Sequence, residues 1–185
     1  MSRAVIDEAR ERMQKAVENF QRELGGLRAG RATPALLDRV RVPAYGSELP
    51  VQQVATVHAA DPRTLVIQPW DKSLMSAIER AILKSDLGLN PSSDGNVIRL
   101  VIPPMTQERR NELVRQVRKM AEEARVAVRN IRRDANERLK AETKADTLSE
   151  DQERREQEEI QKLTDRFIQA VGDALEAKEK EIMEV

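Results

Sequence analysis

The chain has 185 residues, with 32 Lys plus Arg against 32 Asp plus Glu, so its net charge is zero with the single histidine neutral. It has no cysteine, and its aromatic residues are Phe20, Tyr45, Trp70 and Phe167 alone. That excludes disulfides and a cysteine nucleophile, leaves almost no material for a His-rich zinc site or a Ser-His-Asp triad, and argues against an aromatic platform for single-stranded nucleic acid.

The first residues alternate charged and apolar side chains. They lack the apolar core of a signal peptide and are too acidic for a transit peptide. No apolar run approaches the ~20 residues of a membrane span. The expectation is a soluble, cytoplasmic, unprocessed protein. All eight prolines lie between positions 34 and 104, and only Gly172 of the seven glycines lies outside positions 25–95. Proline costs a helix interior about 3 kcal/mol and glycine about 1. Long helices are therefore permitted before position 25 and after 104, and not between.

In the first segment Ile6, Met13, Phe20 and Leu27 recur at one heptad position, with Ala9, Ala16, Val17 and Leu24 between them. This predicts an amphipathic helix with a bundle-type seam. Gly25-Gly26 weakens its last turn, and Gly30 with Pro34 ends it.

The middle of the chain changes period. Residues 37–42 alternate, and 54–58, 64–68 and 96–102 are further strand candidates. Turn residues separate them: Tyr45-Gly46-Ser47, Asp61-Pro62, and Asn90-Pro91 through Gly95. One helix is predicted at about 72–87, with Leu74, Ile78, Ile82 and Leu83 on one side and Gly88 past its end. This is a small β/α/β domain with a marginal core, and Trp70 is the expected large anchor.

After Pro103-Pro104, Thr106 is a candidate N-cap for a second long helix. Its expected seam is Leu113, Val117, Met120, Ala124, Ala127 or Val128, Ile131, Ala135 and Leu139. A break near Asp146-Thr147 precedes a third helix, where Ser149 and Gln152 have capping-box spacing. Its expected seam is Ile160, Leu163, Phe167, Val171, Leu175 and Ile182. No single helix can bury its stripe alone, so a long three-helix bundle is expected. The fold class is α+β. The bundle takes 1–29 and 105–185, and the β/α/β domain is inserted at 31–104. The chain crosses between them near 28–32 and 103–106. Gly30 supplies freedom and Pro103 and Pro104 supply stiffness, which makes Gly30, Arg31, Pro103 and Pro104 the candidate hinge.

The zero total hides a division. Residues 1–104 carry net +2, 105–145 net +5 and 146–185 net −7. On a helical wheel Arg118, Arg125, Arg129 and Arg132 share a stripe ~60° wide, with Arg110 at its edge and Asn136 on its centre line. No carboxylate falls inside the stripe, although Glu122 sits beside it. Arginine's planar fork suits phosphate and base edges. One reading is a solvated face, or a basic helix paired with the acidic third helix. The other is a surface for the backbone of structured RNA, read by shape.

Other features carry less. Gly25, Gly26 and Gly30 are followed by no Lys-Ser or Lys-Thr of a phosphate loop. His58 has no second ligand at metal spacing and reads as a structural or surface histidine. The carboxylates show no apolar setting that would mark an acid–base pair. The expectation is a protein that is not an enzyme and needs no metal or cofactor. A coiled-coil chaperone or scaffold and a general duplex-RNA-binding module remain as rivals.

The stretch Arg125-Val-Ala-Val-Arg-Asn-Ile-Arg-Arg-Asp-Ala-Asn136 resembles the signature of bacterial ribosome recycling factors. Gly30-Arg-Ala-Thr-Pro34, Ser85-Asp-Leu-Gly-Leu-Asn-Pro91 and Pro103-Pro-Met-Thr-Gln-Glu-Arg-Arg110 are similar to further blocks of that family. The likeness extends over the whole length. It implies an L-shaped, tRNA-like outline and a monomer that binds the post-termination ribosome against large-subunit RNA. It also implies that elongation factor G with GTP then drives the subunits apart. Arginines matching Arg110, Arg129 and Arg132 are associated with ribosomal RNA contact in that family. The candidate RNA-contact set is therefore Arg110, Arg118, Arg125, Arg129, Arg132 and Arg133.

Overall fold

The structure is a computed structural model and describes residues 3–27 and 30–184. These fall into two compact units, one of 3–27 with Gln107–Glu184 and one of 30–106. No helix among the described residues is long and apolar enough to cross a membrane.

The first unit is a bundle of α1 (Arg3–Gly25), α3 (Gln107–Lys144) and α4 (Glu150–Met183), each packed on the other two. α1 buries Val5, Ile6, Ala9, Met13, Val17, Phe20 and Leu24, steps of three and four that keep one face inward. Leu27 lies beyond the helix end and is half-buried.

In α3 the buried seam is Leu113, Val117, Ala121, Ala124, Val128, Ile131, Ala135 and Leu139. Met120, expected in it, is half-buried, and Ala121 takes its place. A four-residue step from Val117 keeps the stripe straight, and the small alanine lets the helices approach. α4 buries Ile160, Leu163, Thr164, Phe167, Val171, Lys178 and Ile182, while Leu175 is only half-buried. The Thr164 hydroxyl donates to the Ile160 carbonyl at 2.8 Å, which satisfies it. Lys178 is 8% exposed. Its ammonium donates to the Leu27 carbonyl at 3.1 Å and sits 3.5 Å from Glu181. A buried charge needs such partners, and here they fasten the chain just past α1 to the end of α4.

α3 stops in a Schellman turn. Thr147 N–H donates to the Glu142 carbonyl at 3.0 Å and Asp146 N–H to the Thr143 carbonyl at 3.1 Å, with Asp146 at φ 57°. α4 then opens on the expected capping box. Ser149 Oγ accepts from Gln152 N–H at 3.2 Å, and the Gln152 side chain accepts from Ser149 N–H at 3.3 Å. Ser149→Ala is expected to destabilise the fold by about 1 kcal/mol. Thermal melting followed by helical circular dichroism measures it, as a fall of roughly 2–4 °C.

The second unit begins with a 3-10 turn at Pro34–Leu37, then a hairpin of β1 (Arg41–Ala44) and β2 (Ser47–Pro50). Tyr45 and Gly46, at φ 52° and 79°, make the connection; two positive φ values match the twist of the strands. A four-stranded antiparallel sheet follows. It is built from β3 (Ala55–Asp61), β4 (Thr64–Pro69), β5 (Pro91–Ser93) and β6 (Ile98–Val101) in the order β3-β4-β6-β5. α2 (Met75–Lys84) is part of the same unit. Leu37, Val42, Val51, Leu65, Ile67, Ile78, Ile82, Ile98 and Leu100 form the fully buried centre of its core.

Four expectations change here. The strand expected at 37–42 starts only at Arg41, because Pro34 presets the φ of a 3-10 turn that runs to Leu37. The helix expected at 72–87 is shorter. A 3-10 turn at Lys72–Leu74 is capped by Asp71, and α2 ends at Lys84, where the Ser85 hydroxyl donates to the Ile82 carbonyl. Leu83, expected inward, is exposed. Trp70 is not a core anchor. It is 66% exposed, because the pleat of β4 buries Pro69 and turns the next side chain out. Its indole N–H donates to Thr56 Oγ1 at 2.9 Å.

Both ends of this unit are tied to one turn. Ala32 N–H donates to the Pro62 carbonyl at 2.8 Å and Ile102 N–H to the Arg63 carbonyl at 2.7 Å. The turn is braced by Asp61, whose carboxylate accepts from Arg63 N–H at 2.8 Å. That bond, and another from Thr64, hold the carboxyl below the usual range. Gly30 stands at φ 77°, a conformation that favours glycine. Arg28 and Ala29, in the expected first junction, lie outside the described residues.

Candidate nucleic-acid interface

The heptad seam of α3 faces α1 and α4, so the residues on its flank are set at the margin of α4. Arg118, Arg125, Arg129 and Arg132 occupy that flank. Arg118 Nε donates to Glu179 of α4 at 2.6 Å, and Arg132 donates to the Gln161 side-chain oxygen of α4 at 3.3 Å. Between them Glu122 accepts from Arg125 at 3.0 Å and from Arg129 at 2.6 Å.

The stripe is therefore not unopposed. Glu122, one turn away, is within reach of two long side chains, and Glu179 arrives from the neighbouring helix, which a single-helix wheel omits. Hydrogen bonds from Arg125 first, and then Arg129, hold the Glu122 carboxyl below the ordinary range. Glu179 raises Arg118 further above its ordinary value. Glu122 stays ionised through the normal carboxylate range. Its contribution to stability is complete above that range and is lost as pH falls through its lowered value.

Each pair keeps one member in solvent, Arg118 or Glu122, while Arg125, Arg129 and Glu179 are half-buried, and solvent screening keeps such pairs weak. A phosphate can exchange for a carboxylate at such a site with little loss. Meanwhile the carboxylates hold the guanidinium forks extended along one edge. Asn136, on the same line, has a side-chain oxygen that is buried without a hydrogen-bond partner among the described residues.

The other two candidates stand apart. Arg110, at the start of α3, is half-buried with its Nε enclosed and without a partner among the described residues. Arg133 is exposed and lies 4.0 Å from Asp134, the carboxylate that also meets Arg12 of α1 at 3.6 Å. The contributions of Gln161 and Glu179 were not visible in the arginine pattern; the acidic balance of the third helix was a signal for Glu179 alone, since Gln161 is neutral. Of the hinge candidates, Arg31, Pro103 and Pro104 are exposed.

Glu122→Gln removes an internal competitor for two arginines. The expected outcome is tighter association with a polyanionic RNA surface, most clearly at low salt, measured by filter binding across a salt series. A weaker complex would mean that Glu122 mainly aligns Arg125 and Arg129.

Residues 20–183 match the family model described as ribosome recycling factor. The ribosome-recycling factor of Symbiobacterium thermophilum is 64% identical over the full length of both chains. That of Carboxydothermus hydrogenoformans is 58% identical, again over the full length of both. A solution structure of a ribosome recycling factor aligns with a TM-score of 0.74 at 46% identity, covering 100% of this chain and 98% of the other. A second structural match concerns the T. thermophilus ribosome recycling factor and E. coli elongation factor G bound to the E. coli post-termination complex. It aligns with a TM-score of 0.63 at 52% identity, covering 98% of each chain.

Proposed function

This chain belongs to the ribosome recycling factor family, whose members are translation factors, and we propose that it binds the post-termination ribosome and, with elongation factor G and GTP, splits it into subunits. Messenger RNA and tRNA are thereby released for another round. The observation that carries this reading is the edge of α3 beside α4, where Arg118, Arg125, Arg129 and Arg132 are extended by weak, exchangeable partners. On binding, large-subunit RNA phosphates take the places of Glu122 and Glu179. Arg110 and Arg133 contact the same RNA from outside this edge. Agreement in full-length identity with named recycling factors supports the assignment.

The GTP chemistry belongs to elongation factor G. This chain acts as a cytoplasmic, monomeric binding factor, not an enzyme, and it requires no cofactor or membrane. The inserted unit at 31–104 receives the push. The junctions at Gly30, Arg31, Pro103 and Pro104 act as the hinge through which force reaches the bundle of 1–29 and 105–185. The test is direct. Purified chain with elongation factor G and GTP should convert post-termination ribosomes to free subunits, read by light scattering or sucrose gradients. Unchanged ribosomes would refute the reading. A sedimenting oligomer would favour the scaffold alternative.

A further inference from the structure

The end of α1 is poorly secured by its own residues. Gly25 closes the helix and Gly26 follows it. Nothing lies within 4 Å of a Cβ added at Gly25, and at Gly26 its contacts would be ordinary ones, 3.5 and 3.9 Å from the Glu23 and Arg22 carbonyls. Neither glycine has a positive φ. Packing and backbone conformation therefore do not call for glycine here, and two in succession leave this end easy to unwind. The first crossing toward the inserted unit starts from it.

Lys178 of α4 secures it from across the bundle. Its ammonium donates to the Leu27 carbonyl at 3.1 Å and lies 3.5 Å from Glu181. Leu27 N–H donates to the Leu24 carbonyl at 3.1 Å, and Gly26 N–H to the Arg22 carbonyl at 3.2 Å. Leu27 is thus held at both its amide and its carbonyl. A cation suits the carbonyl end of a helix. Burying it gains little stability, since packed apolar residues often replace a buried ion pair with no loss. Stability alone does not account for a buried lysine aimed at a main-chain oxygen. The next residue behaves differently. Glu179 pairs with Arg118, which stands in solvent, where a phosphate can displace the carboxylate. Lys178 is enclosed, so its contact stays closed when RNA arrives.

We propose that Lys178 is a positioning residue for subunit splitting. It clamps the chain at Leu27, so load from the first crossing enters α4 and does not unwind the end of α1. α4 is 34 residues long and packs on both α1 and α3, so load that enters it is shared by the whole bundle. The arginine edge borders the same helix, because Gln161 and Glu179 belong to α4. The clamp therefore joins the point where force arrives to the helix beside the RNA contact. Without it, the paired glycines absorb the push as local unwinding. The inference rests on the splitting reading above and names a residue that transmits the force.

Lys178→Met removes the donor and keeps an unbranched side chain in the same space. In the full chain it should melt cooperatively and pellet with post-termination ribosomes almost as the unsubstituted chain does. With elongation factor G and GTP, at saturating factor, splitting should slow about tenfold, the factor that loss of one charge-assisted hydrogen bond implies for the clamped state. Amide exchange at Gly26 and Leu27 should quicken by about the same factor, with Val128 and Val171 unchanged. Two changes should restore splitting. One is Lys178→Arg, which keeps a donor. The other is Lys178→Met combined with Gly25→Ala and Gly26→Ala, which stiffens the same end by another route. Normal splitting by Lys178→Met, splitting lost only in step with ribosome binding, or no rescue by the alanines overturns the clamp. So does failure of both Lys178→Met and Lys178→Gln to fold, which makes the lysine structural only. If the unsubstituted chain splits no ribosomes, the splitting reading fails and the clamp with it. If it splits them and Lys178→Met matches it, the clamp alone fails.

Discussion

Arg132→Glu is expected to weaken ribosome binding by about tenfold to a hundredfold while leaving helical content and melting almost unchanged. The loss follows from one charge-assisted contact, worth about 1.5–3 kcal/mol, with repulsion between the new carboxylate and phosphate pushing toward the upper end. Stability should change by no more than about 0.5 kcal/mol, as for a surface position. Arg132 makes one long bond, to Gln161, whose amide nitrogen is already donated to Asp165 at 2.8 Å. An amide flip lets Gln161 donate to the new glutamate. The salt slope of binding should also fall by about one. Pelleting or light scattering across a salt series measures both quantities. Unchanged binding at moderate salt would mean that the arginine edge is merely solvated.

The largest loss of stability is expected from Phe20→Ala. The ring is 2% exposed and belongs to the inward face of α1. Truncating a buried phenylalanine costs about 3–5 kcal/mol, through lost transfer energy and the cavity left behind. For a chain of this size that lowers the midpoint by roughly 6–20 °C. Helical circular dichroism follows the bundle directly. α1 is held in the bundle by packing more than by propensity, so its helical signal should be lost with that of α3 and α4. A change under ~1 kcal/mol would show that neighbours collapse into the space.

The helices were legible in the sequence because their signal is local. Proline confined to positions 34–104 leaves room for α3 and α4, and heptad spacing places Met13, Phe20, Val117 and Ile160 on buried faces. The Ser149–Gln152 capping box is also a local pattern. Legibility fell where neighbours decide. Met120 and Ala121 differ by one position, and only the packing of α1 and α4 selects the smaller side chain. β2 and β5 are short and each contains proline, so neither alternates long enough to be read. Trp70 was misplaced because size was taken for depth, when the pleat of β4 sets its direction. The arginine edge was read correctly as a line on one helix. Glu122 was visible beside that line, and pairing with the acidic third helix was one of the readings, but Glu179 itself was not singled out, because it comes from an element 61 positions away in the chain.

The turn at Pro62–Arg63, which holds Ala32 on one side and Ile102 on the other, has a consequence during synthesis. α1 leaves the ribosome with its apolar stripe exposed, and its partner α3 begins only at Gln107. At ~5–20 residues per second the wait is roughly four to sixteen seconds. Joining the ends of a loose loop of that length would cost about 4 kcal/mol in the length-dependent entropy alone. Once the inserted unit folds, its two ends are already side by side, and the helices it interrupts meet as though they were near neighbours in sequence. The nascent unit thus behaves as a splint, set before the long helices are complete.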